Sequence, residues 1–168
     1  MGFFSKDIKT LDDLFVHTLR DIYYAEKKIE KALPNMIDRA SDPSLKECFD
    51  RHRDQTGLHI ERLEKVFEMH GTTARTISCP AVEGIIEETD EISGDIDDDK
   101  VMDAALIAAA QAVEHYEITR YGTLIAWARE LGHDDCAEVL EETLAEEKAT
   151  DQMLTKMAES RINLRSAA

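Results

Sequence analysis

Apolar residues recur at alternating steps of four and three along four long stretches of this 168-residue chain. That spacing keeps its members on one face of a helix, as in bundle packing. The first seam reads Phe15, Leu19, Ile22, Glu26, Ile29, Leu33, Met36, Ala40, and the second Leu45, Phe49, His52, Thr56, His59, Leu63, Val66, His70. A shift of 88 residues carries these seams onto Ile107, Ala110, Glu114, Glu117, Tyr121, Leu124, Ala128 and onto Ala137, Leu140, Leu144, Glu147, Asp151, Leu154, Ala158. Eighty-eight residues separate Glu26 from Glu114 and also His59 from Glu147; thirty-three separate Glu26 from His59 and also Glu114 from Glu147. The chain therefore reads as two helical hairpins in tandem.

Punctuation between the seams agrees. Thr10-Leu11-Asp12-Asp13 resembles a capping box with Asp in the acidic place. Pro34 removes a backbone donor and predicts a kink in the last turns of the first helix. Asp42-Pro43-Ser44 supplies an N-cap followed by Pro at the first helical position, and Gly71 closes the second helix. Pro80 to about Ile92 predicts a short helix with Ala81, Val82, Ile85 and Ile86 facing inward. Gly132 ends the third long helix and Asp134 caps the fourth. The expectation is all-α: one domain over 1–168, a four-helix bundle with helices at about 10–40, 43–70, 99–131 and 134–161, and a long crossover carrying the short 80–92 helix.

Antiparallel packing brings the polar members of the seams to one height, because Glu26 and His59 are equidistant from the first turn and Glu114 and Glu147 from the second. Collected there are Glu26, His59, Glu114, Glu117, Glu147 and Asp151, with His52 and Gln55 one or two turns away. Five carboxylates in one dry space repel and titrate upward unless cations neutralise them. Carboxylates and imidazole on facing helices are what dinuclear iron or manganese sites use. The six residues are therefore candidate ligands for two such ions, set against a hydrogen-bonded or solvated acid cluster without metal. His52 reads as structural, and His70 and His133 as helix-end groups in a cap or cation role.

A net charge of −16 excludes a basic counter-surface for nucleic acid. No apolar run approaches the roughly 18 residues of a membrane span, and the opening Met1-Gly-Phe-Phe-Ser-Lys turns polar too early for a signal peptide. Cys48, Cys79 and Cys136 form no CxxC pair, which fits free thiols in a reducing cytoplasm. Ala104 to Ala110 leave the third long helix apolar nearly all round, which predicts a homodimer interface there.

The runs Ala25-Glu26-Lys27-Lys28-Ile29, Val113-Glu114-His115-Tyr116-Glu117-Ile118 with Tyr121-Gly122-Thr123-Leu124, and Glu146-Glu147-Lys148-Ala149-Thr150-Asp151 resemble the YciE/YciF family of bacterial stress proteins. The likeness covers nearly the whole chain, including the connection from Cys79-Pro80 to Glu88. It implies a ferritin-like fold similar to rubrerythrin, a homodimer, and a link to stress, with no reaction attached. Rubrerythrin-like di-iron sites take Glu, Glu-x-x-His, Glu-x-x-Glu and Glu-x-x-His from successive helices. Glu26 and Glu114-x-x-Glu117 match that pattern; His59 stands at the second Glu position, Arg62 at its His, and Thr150 at the last His, after Glu147. Two readings follow: an oxidoreductase consuming oxygen or peroxide with an external electron donor, since no rubredoxin-like Cys pair exists here, or a non-catalytic dimeric stress protein with a degenerate site.

Overall fold

The computed structural model describes residues 8–167; the opening segment Met1-Gly-Phe-Phe-Ser-Lys, read above against a signal peptide, lies outside them. Helix α1 runs Leu11–Arg39, α2 Pro43–Met69, α3 Pro80–Gly94, α4 Asp99–Glu130 and α5 Asp134–Met157. A π-helical turn, Ala158–Ile162, then leads into the short α6, Asn163–Ser166. Each hairpin packs on itself, α1 against α2 and α4 against α5. The two hairpins join through α1 with α4 and α2 with α5, which makes a closed ring of four. Helix α3 lies across α4 and touches α1.

Local chemistry sets the ends. The Thr10 hydroxyl accepts from the Asp13 amide while the Asp13 carboxylate accepts from the Thr10 amide, a complete capping box. Asp42 caps α2 by accepting from the Ser44 and Leu45 amides ahead of Pro43. Gly71 and Gly132 take φ of 75° and 78°, the left-handed region where a side chain is strained, and so end α2 and α4. Pro34 sits inside α1, which continues for five residues beyond it. Asp134 does not cap α5. It is the first helical residue, and His133 occupies the cap position without a side-chain bond to the helix.

The core follows the seams. Phe15, Leu19, Ile22, Leu45, Leu63, Leu124 and Leu140 are fully buried, each contributing about 1.5–3 kcal/mol of transfer free energy. On α3 only part of the expected inward face is buried: Val82 is enclosed, Ile85 and Ile86 are half-buried, and Ala81 is exposed. Helix α3 covers part of the apolar surface of α4 within the same chain, while Ala108 and Ala112 remain exposed. Among the described residues no helix is long and apolar enough to cross a membrane.

Candidate metal centre

Halfway along the ring, Glu26 of α1, His52 and His59 of α2, Glu114 and Glu117 of α4 and Glu147 of α5 are all buried. Their donor atoms fall into two groups, each compact enough for one ion: His52, Glu114, Glu117 and Glu147, and Glu26, His59 and Glu147. Glu147 belongs to both. His52 Nε2 lies 3.1 Å from Glu114 Oε1, and its Nδ1 lies 4.0 Å from Glu147 Oε2. His59 Nδ1 lies 3.0 Å from Glu147 Oε1 and 3.5 Å from Glu26 Oε1.

Few of these atoms have a hydrogen-bonding partner. Both oxygens of Glu117 and one each of Glu26 and Glu114 are buried without one; the Glu147 oxygens, the His52 nitrogens and His59 Nδ1 also make no hydrogen bond and meet only in the ion-pair contacts above. Leaving such groups unsatisfied costs about 1–3 kcal/mol each, more when charged. The electrostatics record the same tension. Burial, reinforced by the Glu147 charge, pushes Glu114 and Glu117 well above the usual carboxyl range. Burial also raises Glu26, against the pull of His59. For Glu147 burial is outweighed by the neighbouring His59 ring, which holds the carboxyl below its ordinary value. Burial alone would lower His59, but the Glu147 and Glu26 carboxylates prevail and push it up to about 10. His52, with burial dominant, is lowered.

Oxygen and imidazole donors that are buried, convergent and short of hydrogen-bonding partners fit a pair of divalent cations, and Glu147 could contribute to holding either one. A surrounding layer orients them. Glu146 Oε2 accepts from His59 Nε2 at 2.8 Å, which orients the ring with Nδ1 toward Glu26 and Glu147; Nδ1 would give up its own proton to take a cation. Arg62 in turn holds Glu146 in a two-pronged pair at 2.7 and 2.9 Å. The fully buried Tyr121 donates its hydroxyl to Glu26 Oε1. A mostly apolar cavity of about 350 Å³ enters between α1, α3 and α4 and ends on His52 and Glu114.

Of the six residues read from the sequence, Glu26, His59, Glu114, Glu117 and Glu147 meet at this centre, and Asp151 does not. Asp151 is half-buried; its carboxylate accepts from Gln111 at 2.9 Å and lies 3.2 Å from His115. The buried stripe of α5 runs Leu140, Thr143, Glu147, Thr150, Leu154, so the steps of three and four are in the opposite phase to those expected. Thr150 therefore points inward where Asp151 was placed, and it bonds the Glu146 carbonyl rather than joining the cluster. His52, read as structural, stands inside the first group; its seven-residue spacing from His59 puts the two rings on one face. Glu146 and Arg62 were not recognised as the pair that orients His59. Gln55 is half-buried.

Residues 10–167 match the family described as Domain of unknown function (DUF892). Protein YciF of Escherichia coli is 44% identical over 158 residues, covering 94% of this chain and 95% of that protein. The crystal structure of that stress protein superposes with a TM-score of 0.89 over 93% of this chain and 99% of its own. YcfI of Rhodopseudomonas palustris, described as a candidate structural protein, is 54% identical with a TM-score of 0.89, covering 91% of this chain and 98% of its own. A two-domain Anabaena variabilis protein with a DJ-1/ThiJ/PfpI-like and a ferritin-like domain matches with a TM-score of 0.63 at 20% identity, over 92% of this chain and 38% of its own, a likeness of fold alone. The ring of four helices is thus ferritin-like, and the chain belongs to the YciF-like family that carries the DUF892 domain.

Proposed function

We propose that the central cluster is a dinuclear iron or manganese centre that reacts with oxygen or peroxide in a stress-response protein. The observation that carries this reading is the division of buried, unpartnered donors into two groups that share Glu147. Glu26 and His59 would hold one cation, His52, Glu114 and Glu117 the other, and Glu147 both. When bound, the two cations supply redox equivalents and Lewis acidity.

The chain's own residues do the rest. Glu146 and Arg62 keep His59 oriented with Nδ1 toward Glu26 and Glu147. Tyr121 holds its proton against Glu26 Oε1. The cavity lined by His52 and Glu114 has room for a small oxidant. Cys48, Cys79 and Cys136 are buried, free and on separate elements, so reducing electrons would come from an external donor. Free thiols suit a reducing cytoplasm. The apolar surface that α3 leaves exposed on α4, with Ala108, Ala112 and Val101, would seat the second copy of a homodimer.

A second reading, a non-catalytic structural stress protein, is favoured by Arg62 and Thr150 standing where rubrerythrin-like sites carry histidines. Metal analysis of untagged protein separates the two, with Glu26→Ala and Glu147→Ala as controls. About two iron or manganese ions per chain, lost in both variants, are expected from the first reading. Wild-type protein that stays metal-free and equally stable after anaerobic ferrous iron is added would leave only the second.

A further inference from the structure

Three helix ends converge at the pole of the bundle where α1 begins. Asp12 lies in the first turn of α1, His70 is the C-cap of α2, and His133 is the N-cap residue of α5. One carboxylate oxygen and one nitrogen from each ring lie within 4.8 Å of one another. Asp12 Oδ1 is 3.1 Å from His70 Nε2, and the two imidazoles meet edge to face with centroids 4.6 Å apart. The Phe15 ring backs His70 at 5.2 Å.

Two further observations point to a ligand. The His70 side chain is only 7% exposed, and its Nδ1 has no hydrogen-bonding partner. His133 occupies a capping position yet makes no capping bond; its ring meets His70 instead. Left-handed glycines stand beside both, Gly71 directly after His70 and Gly132 directly before His133. The arrangement lies fourteen residues up α1 from Glu26, about 21 Å along the helix axis, so it is separate from the central cluster.

Two imidazoles and one carboxylate whose donor atoms converge in this way are a donor set for a single transition-metal ion. Imidazole nitrogen selects zinc, nickel, cobalt or copper over magnesium and calcium. We propose that Asp12, His70 and His133 bind one zinc-type divalent ion, which clips the start of α1 to the ends of the connections that follow α2 and precede α5. This site is independent of the reading of the central cluster. It stands whether or not that cluster holds metal.

The test uses full-length untagged protein carrying Glu26→Gln and Glu147→Gln to disable the centre, titrated with zinc ion in competition with a chromogenic chelator. One zinc per chain is expected, with cobalt substitution giving a ligand-field spectrum that contains nitrogen donors. Adding His133→Gln, or separately the surface change Asp12→Asn, should weaken zinc binding by more than about tenfold, since even outer partners of ligands are worth that much. Circular dichroism of both variants confirms that they fold. Zinc affinity unchanged by either substitution, or no zinc binding in the starting protein, overturns the proposal.

Discussion

Two groups of buried acids lie in the same bundle and are treated in opposite ways. At one end, Asp42 is 4% exposed and accepts from the Ser44 and Leu45 amides and from both Arg161 and Arg165. Beside it, Asp103 accepts from the Ser41 amide and hydroxyl at 2.7 Å each and from the Asp42 amide at 3.1 Å. At mid-height, Glu117 is fully buried with neither oxygen partnered, and Glu147 is in the same position apart from its approach to His59. Burial opposes ionisation in both places. At Asp42 that opposition is overcome by Arg161 and the Leu45 and Ser44 amides, so its pKa falls below the ordinary value, whereas Glu114 and Glu117 rise. The contrast separates acids that hold the fold from acids kept available for something else.

The largest expected effect is at the satisfied end. Asp42→Ala removes an N-cap and leaves Arg161 without its partner, which should cost about 3 kcal/mol in denaturant unfolding. Its pH signature has a definite sign. A depressed carboxyl contributes its full stability above the unfolded value of 3.8 and loses it as pH falls through the lower folded value. Acid unfolding of Asp42→Asn should therefore be flatter below about pH 3.8 than that of the wild type. An equally steep curve would remove Asp42 from the list of acids that hold the fold.

Next comes the response to cation. Anaerobic ferrous or manganous ion at about a hundred times Kd should stabilise the protein by about 2.7 kcal/mol. Asp42→Ala should keep that increment and Glu147→Gln should lose it, as read from paired thermal melts. If both variants keep it, the mid-height acids are not the ligands. A smaller effect belongs to Glu146→Gln, which weakens the hold on the His59 ring at Nε2 without removing a ligand. It should weaken metal affinity about tenfold while stability moves little.

The smallest expected change has the opposite sign. Glu117→Leu replaces an unpartnered buried carboxyl with an apolar side chain, and should stabilise the metal-free protein by about 1 kcal/mol while abolishing one cation position. A loss of stability in the metal-free state would mean that Glu117 is as structural as Asp42, and the comparison would fail.

The seams made the architecture legible because a bundle repeats one physical requirement every turn. Thr10, Asp42 and Gly71 marked boundaries for reasons of local hydrogen bonding, which sequence spacing carries directly. Asp151 shows where that legibility stops. Steps of three and four around Glu147 are both compatible with one face, and only packing against α2 and α4 decides which flanking residue turns inward; here it is Thr150. His52 was within reach, being two turns from His59 on the same stripe. Glu146 and Arg62 were not, since their pairing crosses from α5 to α2 and depends on interaxial geometry.

The tandem repeat divides the centre equally between distant parts of the polypeptide: Glu26, His52 and His59 come from the first hairpin, Glu114, Glu117 and Glu147 from the second. Neither half can assemble the pocket of acids alone. If the centre takes cations as proposed, their uptake would report completion of the whole domain.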